Sequence, residues 1–331
     1  SYTRYDEEVC QRAERWLADR AAQPAGERPW VLFVSLVAPH FPLTAPERFH
    51  ALYAGRELAM PKAYVYGRDE HAHPYVKEYA AVTKYNDHFR DERDVRRALA
   101  GYYGLVSSTD DKVGRLMDVL DNSPLRDDTV VMYLSDHGDH VGSRGLWGKG
   151  TMYAESAGIP WIIAGPGFAA GRVIDTPVQQ VDLFPTVLDV VGIDPEANAV
   201  YSPAASLLRA LDTERLALSE YHAVGSRAAA FMLQGRGWKY VHYVDAPAQL
   251  FDLANDPAEM HDLAPLPEHA DRLAHWREQL LKFCEPRTVD GQAKRRQAEM
   301  VAFHGGEAAI RSRASVGGYT PAPRLSTQAT S

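Results

Sequence analysis

At 331 residues, with 45% hydrophobic and 24% charged side chains, the chain is long enough to bury a substantial core in one large domain or two. A formal charge of −8 argues against a nucleic-acid partner, and no apolar run approaches the ~20 residues of a membrane span. Two isolated cysteines, Cys10 and Cys284, give no disulfide framework; this favours a cytoplasmic, reducing compartment and is also compatible with the periplasm.

In chain order, Thr3-Arg4-Tyr5-Asp6 reads as a capping box, and Val9, Ala13, Trp16, Leu17 and Arg20 follow helical spacing, predicting an amphipathic helix that ends before Pro24. The continuous apolar run Val31 to Val37, bounded by Pro29 and Pro39, has the pattern of a parallel strand covered on both faces, with His40 delivered to its end. Residues 55–75 lack periodicity and read as a long surface loop, in which His71 and His73 have no evident third partner for a metal. Leu99, Tyr102, Val106, Val113, Leu116, Met117 and Leu120 mark one face of a helix from about Arg96 to Leu120. A β-branched and apolar strand, Asp128 to Leu134, follows and ends in Ser135-Asp136-His137-Gly138. Pro160 to Ala164 is a second short buried strand, and Asp182 caps a helix with Pro185 in its first turn and Gly192 beyond its end. Alternating strand and helix imply a parallel α/β sheet up to about residue 205.

Beyond Ser202-Pro203 the pattern changes. Residues 228–233, the turn Gln234-Gly235-Arg236-Gly237 and residues 238–243 read as an antiparallel hairpin, and Leu273, Trp276, Leu280 and Phe283 as one helix face. From Pro286 onward small and basic residues lead into a Gly/Pro/Ser/Thr-rich end, expected to be an extended arm of low intrinsic order that packs on its own domain or on a neighbouring subunit. Lys294-Arg295-Arg296 within it reads as a solvated face.

The most informative stretch is Ser135 to Gly150. Open α/β sheets bind ligands at the carboxyl ends of their strands, and an Asp beside a His can offer an oxygen and a nitrogen to one divalent cation. The glycines that follow let the chain turn back and bring Lys149 to the same place.

This run, Ser135-Asp136-His137-Gly138-Asp139-His140-Val141-Gly142-Ser143-Arg144-Gly145-Leu146-Trp147-Gly148-Lys149-Gly150, resembles the C-terminal metal-and-lysine segment of type I sulfatases, within the alkaline phosphatase superfamily. Three further stretches fall in that family's order: Ala38 to Leu43, Val181 to Asp189 and Gln249 to Pro257. The resemblance runs from about Trp30 to about Leu263. Within the family it is most similar to choline-sulfatase-like and phosphonate-monoester-hydrolase-like members, on the Asp-His choice and on Gly318-Tyr319-Thr320-Pro321.

The resemblance implies an α/β fold: an alkaline-phosphatase-like, mostly parallel sheet with helices on both faces, plus a small C-terminal antiparallel sheet-and-helix subdomain. Residues 1–205 would form the C-terminal portion of the α/β catalytic domain, 206–285 the small subdomain and 286–331 the tail. It further implies metal-dependent hydrolysis of a small sulfate ester. Asp136 and His137 would be metal ligands for one divalent cation, Ca²⁺ first, with Mn²⁺ and Mg²⁺ as alternatives. Lys149 would contact the sulfate, and His40 would contact the sulfuryl group or protonate the leaving group. Asp139 and His140 would support these residues without joining them, and His222, in the small subdomain that borders the pocket, would bind the substrate.

One departure stands out. The family's Cys-x-Pro-x-Arg or Ser-x-Pro-x-Arg motif, whose first residue becomes formylglycine, has no match: Gln11-Arg12-Ala13 follow Cys10, and Cys284 lies in Cys284-Glu285-Pro286-Arg287. The chain is therefore read as the C-terminal part of a sulfatase-like protein, with no nucleophile of its own, the formylglycine expected upstream, and no activity alone. Its first residues accordingly carry no information about a signal peptide. Two alternatives stand beside this reading: a phosphonate or phosphate ester hydrolase on the same scaffold, and a non-catalytic remnant or partner-binding protein.

Overall fold

The computed structural model describes residues 1–24, 26, 28–64, 73–195 and 204–313. His71 and Gly318 to Pro321 lie outside them. Helix α1 (Tyr2–Ala21) packs along the long helix α4 (Glu92–Asp121). Arg115 of α4 donates to Glu7 and Glu14 of α1, and Asp91 caps α4 by accepting from Arg93 N and Asp94 N. The expected capping box at Thr3 to Asp6 is not formed. The helix already starts at Tyr2, which places Asp6 inside it, and the buried Asp6 carboxylate accepts instead from Val37 N at 2.7 Å and Ala38 N at 2.9 Å. A buried carboxylate needs such donors, and these two stand just before His40.

Residues 31–37 are extended but belong to no sheet among the described residues, so the expected covered strand is corrected here. Val31 and Phe33 are 60% and 78% exposed, because no neighbouring strand lies against them. Short α2 (Glu47–His50) leads toward α3 (Pro74–Thr83), which turns its Tyr75, Val76 and Tyr79 face inward. The expected loop over 55–75 thus ends where Pro74 opens a helix at its first turn, a position where no amide donor is lost.

Strand β1 (Val131–Leu134) pairs with β2 (Trp161–Ala164) antiparallel, Val131 opposite Ala164 and Leu134 opposite Trp161. A parallel sheet was expected over this part of the chain, and the pairing that forms here is antiparallel. The linking residues hold one helical turn, α5 (Ala154–Ala157), and fold back on the strand end instead of crossing the sheet as a βαβ connection must. Helix α6 (Leu183–Val190) follows the capping box of Gln179 and Asp182, whose buried carboxylate also binds Arg215.

The small subdomain is a meander of β3 (Ala217–Tyr221), β4 (Ala230–Gly235), β5 (Trp238–Tyr243) and β6 (Ala246–Asp252). Its strands alternate between two covered faces. Phe231, Leu233, Tyr240 and Leu250 meet Trp276 and Leu280 of α7 (Ala270–Leu281); Ala230, Met232, Val241 and Tyr243 meet Tyr75 and Met152. Beyond it, 286–313 are not an extended arm. They form α8 (Pro286–Phe303) and α9 (Gly306–Arg313), because Glu285 caps Thr288 N, Pro286 takes the first turn, and strong helix formers follow. Asp290 of α8 accepts from Ala229 N and pairs with Lys294, which fastens the helix to the meander. No helix among the described residues is long and apolar enough to cross a membrane.

Candidate active site

His40 sits in the loop that follows the extended segment, between two cis peptide bonds, Ala38–Pro39 and Phe41–Pro42. Its Nδ1 lies 2.7 Å from Phe41 O, and a carbonyl can only accept, so Nδ1 carries the proton and Nε2 keeps its lone pair. Lys149 Nζ stands 3.1 Å from that Nε2. The Phe41 ring lies under both, 4.2 Å from the His40 ring and 5.8 Å from the ammonium.

Lys149 is placed by its backbone. Tyr79 donates its hydroxyl to Lys149 O and, at 3.3 Å, to Trp147 O, while Tyr75 donates to Gly150 O at 3.2 Å. Burial pushes both phenols above the ordinary tyrosine range, so they remain protonated donors. Gly150 holds φ at +129°, and a Cβ there would stand 2.6 Å from the Tyr79 ring, so glycine is required twice over.

Asp136 and His137 stand at the carboxyl end of β1. Asp136 Oδ1 accepts from His137 N at 2.9 Å, and Oδ2 lies 3.3 Å from His137 Nε2. His137 Nδ1 donates to Gly138 O at 2.8 Å, which turns Nε2 toward Asp136 Oδ2. Asp136 Oδ2 and His137 Nε2, 3.3 Å apart, are spaced to take two neighbouring positions around one cation with ligand distances of roughly 2.3–2.5 Å, where the imidazole would bind in its neutral form. Among the described residues no group of three or more His, Cys, Asp or Glu gathers at one such point. The pair fits a cation as a partial site.

Asp136, His137 and Lys149 hang on one closed loop, and His40 reaches Lys149 from another. Asp139 Oδ1 accepts from Val141 N and Gly148 N, and the buried His140 binds Thr151 Oγ1 through Nε2 while its amide donates to Gly148 O. Gln180, on the turn before α6, donates to Ser135 O and Asp136 O. His222 is not brought to the other four. Its ring meets Glu220 and the edge of Phe231, whose side chain faces α7, and its carbonyl accepts from Gln297 of α8. The neighbouring Tyr221 faces the other way, its hydroxyl close to Gly150. His73 is buried against Tyr243 and bonded to Pro247 O. Cys10 is fully buried between α1 and α4, where burial pushes its thiol up and its Sγ faces Lys112 O.

Sequence reasoning missed Tyr75, Tyr79, Ser156 and Gln180. The first two stand four apart behind a helix-opening Pro74, a signal hidden by treating 55–75 as loop. Ser156 and Gln180 carried none.

Residues 1–193 match the sulfatase family model, and residues 142–285 match the N-sulphoglucosamine sulphohydrolase C-terminal family. The chain belongs to the sulfatase family. Among curated proteins it is 36% identical to the choline-sulfatase of Rhizobium meliloti over 268 residues, 80% of this chain and 52% of that one. It is 33% identical to arylsulfatase K of Danio rerio over 219 residues, 63% of this chain and 41% of that one. The chain thus spans about half the length of these sulfatases. Among solved structures, the phosphonate monoester hydrolase SpPMH from Silicibacter pomeroyi superposes with a TM-score of 0.67 at 28% identity, over 84% of this chain and 60% of that one. The fold is the alkaline-phosphatase-like α/β fold of sulfatases, with the small antiparallel sheet at its C-terminal side.

Proposed function

We propose that this chain supplies the cation-and-lysine side of a site that hydrolyses sulfuric esters. The observation that carries the reading is the 3.1 Å approach of His40 Nε2 to Lys149 Nζ, Lys149 standing on the same closed loop that presents Asp136 and His137. Asp136 Oδ2 and His137 Nε2 would hold one divalent cation, Ca²⁺ by preference for a hard, oxygen-rich site, with Mn²⁺ or Mg²⁺ as alternatives. A bound cation would polarise the ester and neutralise charge on the sulfuryl oxygens.

Lys149 would place positive charge on the sulfuryl oxygens, where charge builds up on the way to cleavage. A proton held on the Lys149–His40 pair would pass to a leaving oxygen within reach as the S–O bond breaks, leaving the pair one positive charge lower. The Nδ1–H bond to Phe41 O keeps Nε2 as the working nitrogen. The nucleophile, a formylglycine, would come from residues outside this sequence, since Cys10 lacks the required Pro and Arg and is buried.

The same geometry would serve a phosphonate or phosphate monoester, and the likeness to a phosphonate monoester hydrolase favours that as the second reading. The test is an assay of the natural gene product containing these residues against an aryl sulfate and an aryl phosphonate, with and without chelator. Faster, chelator-sensitive cleavage of the sulfate supports the first reading, and faster cleavage of the phosphonate supports the second. Calorimetry on Asp136→Ala should show loss of cation affinity; unchanged affinity would remove Asp136 from the cation site. Residues 1–331 alone should not turn over an aryl sulfate, and Cys10 should remain a thiol in peptide mass spectrometry.

A further inference from the structure

One residue is bonded to both halves of the site. Ser156 lies in α5, 4% exposed. Its carbonyl accepts from Gly138 N at 2.9 Å, the amide next to His137, and its hydroxyl accepts from Gly150 N at 3.0 Å, the amide next to Lys149. The two bonds are made from the same residue, so any shift of Ser156 moves the cation pair and the lysine relative to each other.

The turn that carries Ser156 is itself anchored. Glu259 Oε2 accepts from Ala154 N at 2.9 Å, and its other oxygen is paired with Lys239, both side chains being buried. Lys239 also donates to Met152 O at 3.2 Å. Close approach allows no slack on the cation side either, since a Cβ at Gly138 would lie 2.1 Å from Glu155 O.

We infer that Ser156 is a positioning residue that fixes the spacing between the Asp136–His137 pair and Lys149, and that the buried Lys239–Glu259 pair holds it in place. The inference rests on the sulfate-ester reading of the site. Its two bonds differ in kind: one uses the backbone carbonyl, which any residue supplies, and the other the hydroxyl, which alanine lacks. Ser156→Ala should therefore free the lysine half and leave the cation half in place.

The experiment uses the natural gene product containing these residues, with amide hydrogen exchange followed at Gly138 and Gly150 and titrations with calcium chloride and with inorganic sulfate. In Ser156→Ala, Gly150 N should exchange roughly tenfold faster, and sulfate should bind about fivefold to tenfold more weakly, as expected for loss of one buried hydrogen bond. Gly138 exchange and Ca²⁺ affinity should stay as in the parent, and Ser156→Thr should restore both Gly150 protection and sulfate affinity. Should Ser156→Ala fail to fold, Tyr79→Phe loosens the lysine side from α3 and should weaken sulfate while sparing Ca²⁺. Equal loss at both amides and for both ions, or unchanged Gly150 exchange, overturns the inference. If the natural gene product containing these residues binds neither ion, the sulfate-ester reading falls, and the difference in amide exchange alone decides whether Ser156 couples the two segments.

Discussion

His40 Nε2 and Lys149 Nζ meet at 3.1 Å although 109 residues separate them in the chain. The contact is made by a loop leaving an extended segment and a glycine-flanked turn braced by two tyrosines. Neither partner is interchangeable with an ordinary polar residue. Lys149→Met keeps most of the stem and removes the charge, so sulfate affinity should fall by roughly a hundredfold, consistent with loss of a charge-assisted contact. His40→Asn should weaken binding less and should depress turnover in the complete enzyme. Titration of each variant with sulfate, with thermal unfolding as the control for folding, checks both.

Lys239 and Glu259 form a buried ion pair, and breaking such a pair from one side leaves an uncompensated charge. Lys239→Met should cost about 3–5 kcal/mol in urea unfolding, whereas Lys239→Met with Glu259→Leu should cost less than the two single changes added together. Additive losses would show that the two groups do not act as a pair.

The burial of His73 lowers its pKa from the ordinary 6.5, and His242 shifts the same way for the same first reason. Both are held neutral in the folded state, and the unfolded chain binds the proton more readily. Their contribution to stability is complete above about pH 6.5 and is lost as pH falls through the lower folded values. Denaturant midpoints should therefore decline from pH 7 to pH 5, and the decline should be shallower in His73→Phe. A midpoint that rises over that interval contradicts the assignment.

Asp290 ties α8 to the meander by accepting from Ala229 N, and Arg287 donates to Val244 O. Ending the chain after Arg287 should lower the thermal midpoint, because Ala229 N is left buried without its acceptor. Sedimentation of the same truncated chain tests whether the exposed Met300 and Phe303 join a second copy. A shift to smaller species is the expected result for a tail that carries the oligomer contact.

Long helices and the meander were legible because their apolar spacing spans many turns or several strands, although in α4 the expected Val106 is 42% exposed and Leu105 is buried in its place. The short apolar runs were not. Val31 to Val37 and Trp161 to Ala164 carry no register information, so the sequence could not tell a lone extended segment from a central strand, or an antiparallel partner from a parallel one. The tail misled for another reason, since small and basic residues suit a solvated helix as well as an arm once Glu285-Pro286 starts it. His40, Asp136, His137 and Lys149 were recognisable by residue type and local setting. Their mutual placement was not, because it depends on Tyr79 and Ser156, ordinary residues whose importance appears only when the chain is folded around them.

Two of the six tryptophans are also separated optically by where they pack. Trp276 is buried on the α7 face, remote in packing from the loop, while Trp147 lies inside that loop with its indole N–H on Asn86 Oδ1. Emission from Trp147 will respond to what happens beside Lys149, and emission from Trp276 will follow the opening of the small subdomain. Two single-tryptophan versions of the chain would therefore report ligand capture and unfolding as separate signals from one molecule.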